Sequence, residues 1–375
     1  MSRAAIILKT TEKDILFYSD ILWVRDALTR ASFSEVYEAE EAEIISILEK
    51  NSESDIFITF SDLAFIDEEV IDSAAALFAA SAKDILCAYN PESRRFVLWG
   101  KAPALADLIK QSGLDYDSFD KSKVAFSEFA SRRKFLSSLS PSNLFEMNKL
   151  AKNDIIEKHI MGGVTFLSSD GVLISPKAKI GEGTTILPGT IIKGETVIGE
   201  NCVIGPNSYI EESVIGDNSE INSSYVRLSK VGNGVSVGPF SQLRPDTVLA
   251  DKVHVGDFVE IKNSNIGEGT AVAHLTYVGD SDVGKNVNFG CGVVTVNYDG
   301  ENKNRTRIGD YSFIGCNTNL VAPVSIGDKA YTAAGSTITK DVPSGALAIA
   351  RSRQENKENW ADKKLSKYVD KKNKR

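Results

Sequence analysis

The chain has 375 residues, 42% hydrophobic and 25% charged, with a formal net charge of −8. That length predicts two or more domains with ample core, and the composition excludes disordered, collagen-like and disulfide-scaffold classes. The last 25 residues hold ten Lys/Arg against four Asp/Glu, so the other 350 carry −14; an acidic body excludes nucleic acid as main partner, because phosphate-backbone binding needs a net basic surface.

In chain order, the start from Met1 to Leu8 offers five consecutive apolar residues, too few for a signal-peptide core. No apolar run approaches about 18 residues, so no membrane span is expected. Strand patterns over 4–8, 55–60 and 84–88 alternate with helical patterns over 20–31, 41–50 and 68–82, which predicts a small α/β domain over 1–139 with a mostly parallel sheet. The first glycine is Gly100, the second Gly113, and the other 26 lie between Gly162 and Gly345. A Gly-rich phosphate loop needs backbone without Cβ and free to take φ > 0, so the first 99 residues hold none. Ser140 and Pro141 then open a helix with an apolar face of Leu144, Met147, Leu150, Ile155 and Ile156, ended by Gly162 and Gly163; it reads as a connector over 140–162.

From Val172 to Ile338 the sequence repeats every six residues. Ile180, Ile186, Ile192, Ile198, Ile204 and Ile210 form one series; Val231, Val237, Leu243, Leu249, Val255 and Ile261 a second; Ile308, Ile314, Leu320, Ile326, Thr332 and Ile338 a third. Period six fits neither helix nor flat strand. It fits a parallel β-helix domain over 163–350 in which each hexapeptide is one side of a triangular coil with its aliphatic residue inward; the roughly 170 repeating residues give about nine coils and a prism on the order of 40–45 Å long at the usual strand spacing. The polar run from Asn297 to Arg307 breaks the beat and predicts a projecting loop. Residues 351–375 form a basic tail. Cys87, Cys202, Cys291 and Cys316 lack metal-ligand spacing; they read as free thiols of a reducing cytoplasm, with no metal site.

With only His159, His254 and His274 in the chain, the choice of a general base near neutral pH is narrow. His274 sits in a concentration of polar residues that a purely structural coil does not need. Around it lie Leu243-Arg244-Pro245, Phe258 to Lys262, His274 to Asp280, Asn297 to Gly300 with Lys303, Ile308 to Asp310, Leu320 to Pro323 and Ala348 to Arg351. In order and spacing these motifs closely resemble the acetyltransferase half of the bacterial bifunctional N-acetylglucosamine-1-phosphate uridyltransferase/glucosamine-1-phosphate N-acetyltransferase family, over residues 142–360.

The resemblance implies a mainly β protein: a left-handed parallel β-helix, against the usual right-handed crossover, preceded by a small α/β nucleotidyltransferase-like domain and assembled as a homotrimer with sites between subunits. It implies acetyl transfer from acetyl-CoA to glucosamine 1-phosphate, a step toward UDP-N-acetylglucosamine, without a Mg²⁺ requirement. His274 matches the family's base, with Glu260 as its orienting carboxylate. Arg244, Lys262 and Lys303 match cations on the sugar phosphate, and Tyr277 and Asn288 match hydrogen-bonding groups on the sugar. Asn297 and Tyr298 match residues around the amine and acetyl group; Cys316, Ala334 and Arg351 match acetyl-CoA contacts. Another amino sugar phosphate or nucleotide sugar, and a non-catalytic trimeric scaffold or regulator, stand as alternatives.

Two departures matter near the thioester: Cys316 stands where the family usually has Ser, and Cys291 where it usually has Ala. A thiol donates a weaker hydrogen bond than a hydroxyl, which points to slower turnover or a shifted acyl preference. The N-terminal half departs further. The family's Gly-rich nucleotide-gripping segment is replaced by Ile7 to Asp14, and the domain is short for a uridyltransferase, so no UDP-sugar synthesis is expected. Asp62, in Phe60-Ser61-Asp62, reads either as a relic of that family's metal ligand or, preferably, as a cap for the helix at Glu68.

Overall fold

The computed structural model describes residues 3–362, 365 and 372. Eleven of the 25 residues of the predicted basic tail therefore lie outside the described residues. Two compact units are present, Met1–Asp217 and Asn218–Arg375, and the division falls within the hexapeptide repeats rather than at the connecting helix.

In the first unit a six-stranded sheet runs in the order Glu35–Ala39, Arg3–Leu8, Asp55–Phe60, Arg95–Lys101, Ile85–Asn90, Val124–Glu128. Only Arg95–Lys101 runs against its neighbours; the other pairings are parallel. Strand alternation sorts side chains to two cores. Ile6, Leu8, Ile56 and Ile58 pack with Ile44, Leu48, Leu105 and Leu108, on helices α2 (Ile44–Lys50) and α4 (Ala102–Ser112). Ala5, Ile7 and Phe57 pack with Val24, Leu28, Val70 and Ile71, on α1 (Asp20–Arg30) and α3 (Glu68–Ala80). The predicted strands and helices over residues 1–88 are present, while Glu35–Ala39, Arg95–Lys101, α4 and Val124–Glu128 had escaped the pattern reading.

Asp62 is not the cap. Asp67 is, its carboxylate accepting from Val70 N at 3.2 Å. Asp62 lies five residues further back, fully buried, and pairs with Arg95 at 2.9 Å.

The connecting helix, α5, spans Pro141–Met161 with Ser140 as N-cap, Pro141 at its first position and Gly162 as C-cap. It ties the α/β layer to the first coils: Asn148 Oδ1 accepts from Leu16 N at 2.9 Å, and Lys152 Nζ donates to Ser169 O at 2.6 Å. Those contacts, with the Lys177–Asp26 pair at 2.9 Å, are why the first unit extends past the helix into the repeats.

Each unit carries a stretch of left-handed parallel β-helix built of three sheets. In the first, Ile174, Ile192 and Ile210 stack on one side and Ile180, Ile198 and Ile215 on another. In the second, Ile221, Val237, Val255, Val272, Phe289 and Ile314 stack on the first side, Val226, Leu243 and Ile261 on the next, and Leu249, Ile266, Val283, Ile308 and Ile326 on the third. All of these are buried except Ile180, which is half-buried. The hexapeptide beat lapses between the three series because some sides are one residue shorter, as from Ile261 to Ile266. Buried hydroxyls satisfy corner carbonyls, for example Thr190 on Leu187 O and Thr196 on Lys193 O, both at 2.7 Å. Among the described residues no helix is long and apolar enough to cross a membrane.

Candidate functional site

Because every coil repeats the same path, residues one coil apart form columns, and the second unit has two columns with chemistry. The first follows the corner after the first side. The strands His254–Asp257 and Ala271–His274 pair with Asp257 beside His274, and His274 Nδ1 lies 2.7 Å from Asp257 Oδ1. The next coil pairs Ala271 with Asn288 and Val272 with Phe289, which brings Cys291 beside His274; Gly292 N donates to His274 O at 3.4 Å. Continuing, Phe289 pairs with Ile314 and Ile314 with Thr332, which adds Cys316 and then Ala334. The column is Asp257, His274, Cys291, Cys316, Ala334.

The imidazole is exposed and the carboxylate half-buried. The hydrogen bond from His274 is the foremost cause that holds Asp257 below the usual carboxylate range. With Nδ1–H donating to the carboxylate, Nε2 carries the lone pair. The other histidines are placed differently. His159 is buried in α5, where loss of water lowers its pKa, and His254 Nδ1 sits 2.7 Å from Ser236 Oγ.

The second column follows the next side and its far corner. Arg244 and Lys262 lie beside each other across the Gln242–Leu243 and Glu260–Lys262 strands. Arg244 Nη1 donates to Glu260 Oε1 at 2.7 Å. Lys303 comes in from the projecting loop, which is held by Asn304 N on Asn297 O at 2.7 Å and by the Tyr298–Lys303 bridge. Lys303, followed by burial and Arg244, pushes the Lys262 ammonium below its ordinary pKa. Behind the cations sits Asp280, buried. Burial works against its ionisation, but hydrogen bonds from Asn263 and Asn297 and the charges of Lys262 and Lys303 outweigh it and hold its pKa low.

Asn297 is buried and also reaches the Tyr277 hydroxyl at 3.4 Å. Tyr277 folds over Gly279, where a Cβ would come within 2.4 Å of that hydroxyl and 2.7 Å of Asn297 Nδ2, so only glycine leaves room for this contact.

Glu260 requires a correction as the carboxylate on the base. Its strand belongs to the second side, where it pairs with Gln242 and Tyr277, and its carboxylate holds Arg244. Asp257, on the same side as His274, takes the orienting position. It was missed because it stands one residue ahead of the motif Phe258 to Lys262; the signal was its separation of one coil, 17 residues, from His274. Asn288 is exposed on the first side, three residues before Cys291, and among the described residues no hydrogen bond links it to the cation cluster. Tyr298 is exposed with its hydroxyl on Gly300 O at 2.5 Å. Arg351 is exposed, its Cδ 3.8 Å from where a Cβ on Gly335 would sit, beside Ala334.

Residues 305–340 match the bacterial transferase hexapeptide family, six repeats, and residues 168–266 match the GMPPB C-terminal domain. The chain is 53% identical over 221 residues to the bifunctional protein GlmU of Clostridium kluyveri, covering 59% of this chain and 48% of that protein. GlmU of Clostridium acetobutylicum and of a Geobacillus species are each 52% identical over the same shares. The chain thus spans about half the length of the curated relatives it matches. Among solved structures, LpxA from Acinetobacter baumannii aligns with 50% of this chain and 71% of its own at 18% identity and TM-score 0.36, a likeness too slight to bear on site or substrate.

Proposed function

We propose that the chain is a CoA-dependent N-acetyltransferase that moves the acetyl group of acetyl-CoA to the 2-amino group of glucosamine 1-phosphate. The observation that carries this reading is a carboxylate-held imidazole, His274 on Asp257, one corner away from a cluster of Arg244, Lys262 and Lys303. Such a cluster suits a sugar phosphate. Two ammonium groups held together repel, and a phosphate dianion relieves that repulsion while fixing the sugar's orientation. Tyr277 and Asn288 are assigned to the sugar hydroxyls.

The chemical step needs the free amine. Its nitrogen attacks the thioester carbonyl, the C–N bond forms, and the C–S bond breaks to release CoA. His274 Nε2 takes the proton the amine gives up, and Asp257 stabilises the imidazolium that results. Asn297 and Tyr298 are placed around the amine and acetyl group. Cys316, Ala334 and Arg351 line the acetyl-CoA side, the arginine suited to nucleotide phosphates. No step calls for Mg²⁺. Assay of purified chain for CoA release from acetyl-CoA and glucosamine 1-phosphate tests the reading, with other amino sugars run beside it.

Asp257→Asn separates holding from chemistry. An amide in place of the carboxylate no longer fixes the donating Nδ1–H or stabilises the imidazolium, so kcat falls by about 10²- to 10⁴-fold while KM for the sugar phosphate stays near its value. An unchanged kcat contradicts this role.

A homotrimer with sites completed by a second copy belongs to the proposal. Phe240, Phe258 and Leu275 are 62%, 56% and 59% exposed and succeed one another at one register position, with the two rings stacked at 5.5 Å. An apolar stripe beside Asp257 and His274 suits burial against another copy. Light scattering should give three times the chain mass, and Phe258→Glu should lower it.

We further propose that residues 1–139 are a shortened nucleotidyltransferase-like domain without uridyltransferase activity. Incubation with UTP, Mg²⁺ and N-acetylglucosamine 1-phosphate should yield no UDP-N-acetylglucosamine; its appearance contradicts the proposal.

A further inference from the structure

Cys291 and Cys316 occupy one register position in adjacent coils, between His274 on one side and Ala334 on the other. The pairing of Asn288 with Phe313 and Phe289 with Ile314 leads directly to them, and Asn317 N donates to Cys291 O at 2.8 Å, so the register holds past the strand. Stacked coils lie about 4.8 Å apart, inside the roughly 4.4–6.8 Å window of Cα separations that a disulfide spans. The Cys316 sulfur is turned toward the preceding coil: a Cβ built on Gly290 would lie 2.9 Å from Cys316 Sγ. Cys316 is exposed and Cys291 half-buried, and both are free thiols. The remaining cysteines, Cys87 and Cys202, are buried.

We propose that Cys291 and Cys316 form a dithiol oxidation site that a peroxide closes into a disulfide, and that closure stops acetyl transfer. In the first step the O–O bond of the peroxide breaks as the exposed Cys316 sulfur is oxidised to a sulfenic acid and water leaves. In the second, the Cys291 sulfur, as thiolate, attacks the sulfenic sulfur; the S–S bond forms, the S–O bond breaks, and the departing hydroxide takes up the proton that Cys291 gave up, leaving as water. The link ties together two coils lying between the base and Ala334. It removes the thiol donor at Cys316 and draws the sulfur out of the acyl path. The existence of the link stands on register alone; its effect on turnover rests on the acetyltransferase reading.

Full-length protein treated with hydrogen peroxide, blocked with an alkylating agent and digested with trypsin without reduction tests this. The expected product is the peptide Asn286–Lys303 joined to Ile308–Lys329, lighter by two hydrogens than the pair and absent after dithiothreitol. Cys87 and Cys202 should stay reduced; burial pushes the Cys87 thiol up to about 12, where it holds little thiolate. In Cys291→Ala, Cys316 should pass on to sulfinic acid without a link. Cys316 oxidised with Cys291 still free, or Cys316 joined to Cys316 of a second copy, overturns the site. Consumption of acetyl-CoA, followed by chromatography, should drop about 10- to 100-fold on oxidation and recover with dithiothreitol. An active enzyme that carries the link at full rate overturns the control. A chain that forms the link but never transfers acetyl groups counts against the proposed function and leaves the oxidation site standing.

Discussion

Replacing His274 by alanine should lower kcat for acetyl transfer by about 10²- to 10⁴-fold, the range that a positioned general base supplies. KM for acetyl-CoA should hold nearly constant, because the coils of Cys291 and Cys316 lie between His274 and Ala334 and the imidazole's proposed partner is the amine. The residual rate should rise steeply with pH as solvent deprotonates the amine in place of the imidazole. Folding is not at stake: the ring is exposed, and among the described residues its side-chain hydrogen-bond partner is Asp257. Steady-state kinetics across about pH 6–9, a window that includes the ordinary imidazole pKa near 6.5, check all three statements. Undiminished CoA release removes His274 from the mechanism.

Arg244→Ala should raise KM for the sugar phosphate, and more than the loss of one cation suggests. A charge-assisted hydrogen bond is worth about 1.5–3 kcal/mol, or roughly 10- to 150-fold in KM. Removing the guanidinium also frees Glu260, now an unpaired anion next to the phosphate. Arg244→Ala with Glu260→Gln should therefore bind the substrate more tightly than Arg244→Ala alone, although Glu260→Gln by itself weakens binding by loosening Arg244. Equal KM values for the single and double variants would contradict the arrangement. Lys262 adds a pH signature. Its pKa lies below the ordinary lysine value because of Lys303, so its protonated form, and with it phosphate affinity, is lost at lower pH than for an isolated lysine. Removing Lys303 should move that loss back up.

Much of this was legible in the residues. The three aliphatic series gave the inward-facing stack directly, because a triangular coil imposes period six on every side and nothing else does so over such a length. Gly162 onward supplied corners, and the polar run leaves the coil as an exposed loop over 298–303, shorter than predicted because Asn297 is buried and Thr306–Ile308 is again a strand. What escaped has two physical sources. Coils with a five-residue side shift the phase, so that Asp257 and His274 meet at 17 residues rather than 18, and a reading by motif assigned the carboxylate to Glu260. Columns are also created by winding alone: Cys291 and Cys316 are 25 residues apart with a loop between them, and only the register of neighbouring strands brings them together. In the α/β domain, Arg95–Lys101 gave little alternation because both of its faces are covered. Asp62 was misread as a cap since burial and a partner in Arg95, 33 residues onward in the chain, leave no local trace.

The column on His274 and the cluster on Arg244 are proposed to serve one acetyl transfer. The most direct measurement is CoA release by the purified, reduced chain given acetyl-CoA and glucosamine 1-phosphate, with the N-acetylated product identified by mass. Stoichiometric CoA and N-acetylglucosamine 1-phosphate are expected, with kcat lowered in His274→Ala and KM for the sugar phosphate raised in Arg244→Ala. Binding of acetyl-CoA without turnover on glucosamine 1-phosphate or any other amino sugar would contradict it.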